Sequence, residues 1–90
     1  MTYEFDLLIS ANELTDELGE AVFEAGCDDA TPWSDGGVVG LSFDREAGTF
    51  LDAVVSAIEN VRSADIGVEA VRIGEAGSLV NASSLGDLLA

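Results

Sequence analysis

Cys27 is the only thiol in the chain, and the two residues after it, Asp28 and Asp29, are acids. A nucleophilic cysteine needs a base or a cationic neighbour to lower its pKa. Two adjacent carboxylates favour the neutral thiol instead, and no imidazole exists in the chain. A buried, unreactive thiol is the expectation. Asp28, Asp29 and Asp35 gather around one segment and its turn. Such a cluster is what a hard cation such as Ca²⁺ or Mg²⁺ requires. Nothing matches a calcium loop of about twelve residues, and acids recur throughout, so solvated turn acids are expected and no metal. The glycines Gly36, Gly37 and Gly40 lack a phosphate-binding fingerprint and join two strand-like segments rather than opening a helix. They read as a hairpin turn. Trp33, the single tryptophan, stands just before it. It either closes the core or lies on an open sheet face as a contact residue. No cofactor is called for, and catalysis is not expected.

The whole-chain arithmetic narrows the classes further. The 90 residues carry 18 acids and three arginines, for a formal charge of −15. A chain of this length holds one core. At 48% apolar residues it can fill that core, so disorder is not expected despite the charge. No apolar run approaches the ~20 residues needed to span a bilayer. The opening Met1–Asp6 lacks basic residues, so a signal peptide is not expected and the setting reads as cytoplasmic. Nucleic-acid binders neutralise phosphates with Lys and Arg. Only Arg45, Arg62 and Arg72 are present, scattered along the chain. Residues 1–90 alone should therefore repel nucleic acid and anionic membranes.

The elements that position these residues follow from hydrophobic spacing. Tyr3, Phe5, Leu7 and Ile9 alternate with Thr2, Glu4, Asp6 and Leu8, which predicts a strand over 2–9 with one buried face. Asn12 offers an N-cap to a helix carrying Leu14, Leu18, Ala21, Val22 and Ala25, and Gly26 is placed to end it. Residues 27–33 predict a short strand, confined to an edge by Pro32. After the Ser34–Gly37 turn, Val39, Leu41 and Phe43 alternate on a returning strand. Asp44 is the cap expected for a helix over about 45–63, with Ala47, Phe50, Leu51, Val54, Ile58 and Val61 as its stripe. Ile66–Ile73 predicts a fourth strand. Leu79, Val80, Leu85, Leu88 and Leu89 suggest a short C-terminal helix capped by Asn81 or Ser83.

The order strand, helix, strand, strand, helix, strand is that of a ferredoxin-like split βαβ fold (βαββαβ), an α+β class. It implies a four-stranded antiparallel sheet ordered fourth, first, third, second, with two helices on one face. The domain would occupy residues 1–74, with 75–90 as a linker and the short helix.

Three stretches are distinctive. They are Leu18–Ala30 (LGEAVFEAGCDDA), Leu41–Ala47 (LSFDREA) and Ser56–Val61 (SAIENV). Together they resemble the N-terminal acidic domain of small bacterial helix-turn-helix DNA-binding proteins, most of them uncharacterised. In that family an acidic domain of this size precedes a helix-turn-helix. The resemblance covers most of the chain, and its motifs are structural rather than catalytic. Leu79–Leu89 looks like the first helix of a helix-turn-helix, and the recognition helix that would follow is absent from these 90 residues. No DNA-contacting residue is therefore implied.

The resemblance implies a non-catalytic accessory domain of a transcription regulator that supports dimerisation or binds a protein partner. The charge favours an alternative, a stand-alone acidic protein such as an antitoxin, immunity protein or nucleic-acid mimic that blocks a basic partner. For a homodimer, the expected contact residues are Leu8, Trp33, Val38, Val68, Arg72, Leu85, Leu88 and Leu89. The fourth-strand edge and the open sheet face are the two surfaces on offer.

Overall fold

The structure is a computed structural model that describes residues 1–73 and the backbone strand at 78–81. In chain order it runs β1 (Thr2–Ile9), α1 (Asp16–Glu24), β2 (Ala30–Asp35), β3 (Val38–Glu46), α2 (Phe50–Ser63), β4 (Val68–Ile73) and β5 (Ser78–Asn81). The class is α+β. The strands form one antiparallel sheet in the order β2-β3-β1-β4-β5.

Strand β1 lies inside the sheet, between β3 and β4, and its eight-residue alternation gives it one buried face. Its inward set meets Val39, Leu41 and Phe43 of β3 on one side and Val71 and Ile73 of β4 on the other. Both helices pack on that same face. Val22 of α1 and Ala53, Val54, Ala57, Ile58 and Val61 of α2 share one core with Leu7, Leu41 and Phe43. The Pro32 strand is an edge of the sheet. It joins β3 through Gly36 and Gly37, at φ +56° and +84°. Positive φ at both central residues matches the right-handed twist of paired strands and suits glycine.

Helix α1 ends as Gly26 foretold. Gly26 has φ +108°, its N–H donates to the Phe23 carbonyl, and the Cys27 N–H donates to the Val22 carbonyl. These two bonds form a Schellman motif, which satisfies carbonyls the helix leaves open. Cys27 is thereby carried into the core, where it is buried.

Several expectations need correction. The caps are Thr15 and Thr49, whose hydroxyls accept from the Leu18 and Asp52 N–H groups, and not Asn12 and Asp44. Asp44 lies within β3, which runs on to Glu46, so α2 begins at Phe50 rather than near 45. Leu51 is 47% exposed and lies outside the core, although its spacing matches the apolar stripe. The sheet has a fifth strand, and Leu79 and Val80 belong to it rather than to a helix. Because β5 pairs along β4, the fourth strand is not an edge. The helix expected around Leu85, Leu88 and Leu89 lies outside the described residues.

Candidate functional site

Two side-chain assemblies stand out, one on each face of the sheet. On the helix side, Arg45 is buried at 8% exposure. Its Nε and one Nη grip the Asp29 carboxylate at 2.8 and 2.9 Å. The same Nη also donates to the Gly26 carbonyl at 3.0 Å. The other Nη donates to Ser56 Oγ at 3.1 Å and to Asn60 Oδ1 at 2.8 Å. A guanidinium has five N–H groups in a rigid fork, and every one is used here. Its plane also lies against the Phe43 ring, 5.1 Å from the centroid.

This knot explains the three distinctive stretches. One supplies Gly26 and Asp29, the second supplies Arg45, and the third supplies Ser56 and Asn60. Gly26 is constrained twice, by its positive φ and by Asn60, whose Nδ2 would lie 3.0 Å from an added Cβ. The Arg45 hydrogen bond, joined by its charge, holds the Asp29 carboxyl below its usual value against the opposing effect of burial. The same bond pushes Arg45 up. Burial pushes the Cys27 thiol up, aided by Asp29 and Asp28 and opposed by Arg45. A raised thiol pKa disfavours nucleophilic chemistry. The assembly locks α1, β3 and α2 together and presents no open position to a substrate.

Among the described residues, no helix lies over the opposite face. Leu8, Asp6 and Glu4 of β1 share it with Val38, Gly40 and Ser42 of β3, by the pleat and the register. Trp33 of β2 stands opposite Gly40, and its indole covers the glycine so closely that an added Cβ would lie 2.2 Å from the ring. Glycine is required here by that close approach. The Arg72 guanidinium of β4 lies over the indole, 5.0 Å from the ring centroid. Arg72 Nε donates to Asp6 Oδ2 at 2.9 Å, and its Nη2 donates to the same oxygen. Asp6 Oδ1 in turn accepts from Ser42 Oγ at 2.6 Å. A chain of contacts thus crosses four strands, from Trp33 over Gly40 to Arg72, Asp6 and Ser42. Trp33 Nε1 is buried beneath it with no hydrogen-bond partner among the described residues. Val38 stands beside the array, 45% exposed.

The expected contact residues divide accordingly. Leu8, Trp33, Val38 and Arg72 come together on the open face. Val68 is corrected: it is buried in the core and offers no contact surface. Leu85, Leu88 and Leu89 lie outside the described residues. Sequence reasoning missed Arg45 as a hub, because five acceptor atoms on four residues from two other segments show no local pattern. It also missed why Gly40 is glycine, although hairpin register from the Gly36–Gly37 turn places Gly40 opposite Trp33.

Asp28, Asp29 and Asp35 do not converge. Among the described residues, no group of three or more His, Cys, Asp or Glu side chains is arranged to hold a metal ion. Nor is any described helix long and apolar enough to cross a membrane. No family model, curated protein or solved structure matches the chain.

Proposed function

We propose that this chain is a non-catalytic binding domain that pairs with a second copy of itself through the helix-free sheet face. The observation that carries this reading is the placement of Trp33. The chain's largest side chain is on the face that no described helix covers, fixed by Gly40 beneath and Arg72 above, with exposed Val38 beside it. Tryptophan and arginine dominate the energetics of protein interfaces, and rigid anchors lose little entropy on binding. The β2 edge is a weaker route, since Pro32 blunts it by lacking an N–H, and β4 is not an edge because β5 pairs along it.

The architecture is read as a ferredoxin-like split βαβ unit extended by a fifth strand. The resemblance to acidic domains of helix-turn-helix proteins assigns the domain an accessory role in a cytoplasmic regulator of transcription. Pairing suits that role, because a helix-turn-helix dimer reads two half-sites. The domain's own charge disfavours contact with DNA.

Sedimentation equilibrium on the 90-residue chain at low and high salt tests the pairing. The expected result is a dimer that tightens as salt rises, since acidic repulsion is screened while the apolar contact is retained. A strict monomer at high micromolar concentration in both buffers contradicts it.

A further inference from the structure

A second surface lies on the helix side, between α1 and the edge strand β2. A groove of about 540 Å³ runs there, with Leu14, Phe23 and Pro32 as its apolar lining. Phe23 is 63% exposed. Three further lining residues, Asp16, Glu20 and Glu24, follow one another at four-residue spacing along α1. That spacing stacks them one per turn on a single side of the helix, where like charges repel. Glu24 also occupies the last turn, where the helix dipole disfavours an anion, and no basic residue is present in that turn. None of the three is in an ion pair among the described residues, where Arg45 is committed to Asp29 and Arg72 to Asp6.

Gly19 supplies an independent observation. It lies within α1, where glycine is a poor helix former. An added Cβ would meet nothing within 4 Å among the described residues, so their packing does not require glycine. Its backbone is not in the positive-φ region either, since only Gly26, Gly36 and Gly37 among the described glycines are. Yet Gly19 lines the groove, where it leaves a bare strip of helix backbone. A missing side chain on an open helix face allows another backbone to approach closely.

We propose that this groove docks a cationic amphipathic helix of a protein partner. Its backbone would cross α1 at Gly19, an apolar side chain would lie against Phe23 and Pro32, and basic residues one turn apart would meet Asp16, Glu20 and Glu24. The pitch of about 5.4 Å common to all α-helices matches the two rows. An extended segment fits less well, because it would need the β2 edge that Pro32 blunts. This surface is separate from the helix-free sheet face, and the proposal does not depend on self-pairing.

The test uses a synthetic helical peptide of roughly 20 residues, with lysine at every fourth position beside a leucine stripe. A scrambled peptide of the same composition is the control. Titration calorimetry on the 90-residue chain should show salt-sensitive binding of the helical peptide and at least about tenfold weaker binding of the scrambled one. Gly19→Leu should weaken the helical peptide by about tenfold or more while raising the melting temperature, so the loss cannot be unfolding. Glu20→Gln should flatten the salt dependence. Equal binding of the two peptides, or unchanged affinity in Gly19→Leu, overturns the proposal. Sedimentation of Gly19→Leu should show the wild-type oligomeric state, so a failure here is distinguishable from a failure of the pairing.

Discussion

Asp29 and Arg45 form the most consequential pair in the molecule. The guanidinium is 90% hidden as a side chain, while the carboxylate retains more contact with water at 27%. Removing the acid leaves a buried cation with only neutral partners. Asp29→Asn should therefore cost about 1.5–3 kcal/mol at neutral pH, measured by urea unfolding. The pH dependence has a definite sign. The Asp29 carboxyl is held below its ordinary 3.8, so its contribution is complete above that value. It is lost as pH falls through the lower folded value. The stability gap between wild type and Asp29→Asn should close in that acid window and stay constant between pH ~5 and ~8. Gly40 carries the second residue-scale prediction. Gly40→Ala forces the indole off its seat, because the new Cβ would lie 2.2 Å from the ring. A loss of about 1–3 kcal/mol and a shifted Trp33 emission maximum are expected. An unchanged emission spectrum would show that the indole does not rest there. Of these features, the burial of Cys27 was legible, because two neighbouring acids and the absence of histidine gave the thiol no activating group and left it to pack as a small apolar side chain. The Arg45 knot was not, since its ligands are 11 to 19 residues away in sequence.

At the scale of elements, α2 separates what spacing can and cannot resolve. Its stripe predicted both Leu51 and Ile58 in the core, yet Ile58 is fully buried and Leu51 is about half exposed. Both fit a three-or-four repeat, and only the helix's rotation against the sheet decides between them. Ile58→Ala should cost about 2–5 kcal/mol and Leu51→Ala less than about 0.5, read from unfolding midpoints. Comparable losses would mean that the helix is rotated from the orientation described. Helix starts were harder to read than strands. The stretch from Asp44 to Thr49 offers two capping residues, and the polar run Asp44–Arg45–Glu46 looks like a helix beginning. It extends β3 instead, because Arg45 finds its partners only from a strand opposite Tyr3. The hairpin was legible to within two residues, since two consecutive glycines between alternating segments leave few other readings. β5 was not. Its four residues are too few to display a period, and their leucine and valine merged with the leucines that follow.

For the whole molecule, charge sets the terms of any association. Each copy carries −15, and two of its three arginines are committed to internal carboxylates. Two copies can approach only where apolar contact outweighs repulsion, over a screening length of about 8–10 Å at physiological salt. The helix-free face meets that condition best, through Val38, Leu8 and the Trp33–Arg72 stack. Two exposed aliphatic side chains make a matched comparison, since Val38 at 45% and Leu51 at 47% differ in face rather than exposure. Each replaced by aspartate adds the same charge to the monomer. Sedimentation equilibrium of Val38→Asp and Leu51→Asp at high salt therefore tests the pairing directly. Pairing through the open face gives a monomer for Val38→Asp and a dimer like wild type for Leu51→Asp. A dimer that survives Val38→Asp unchanged, or one that Leu51→Asp abolishes equally, would contradict pairing through the open face.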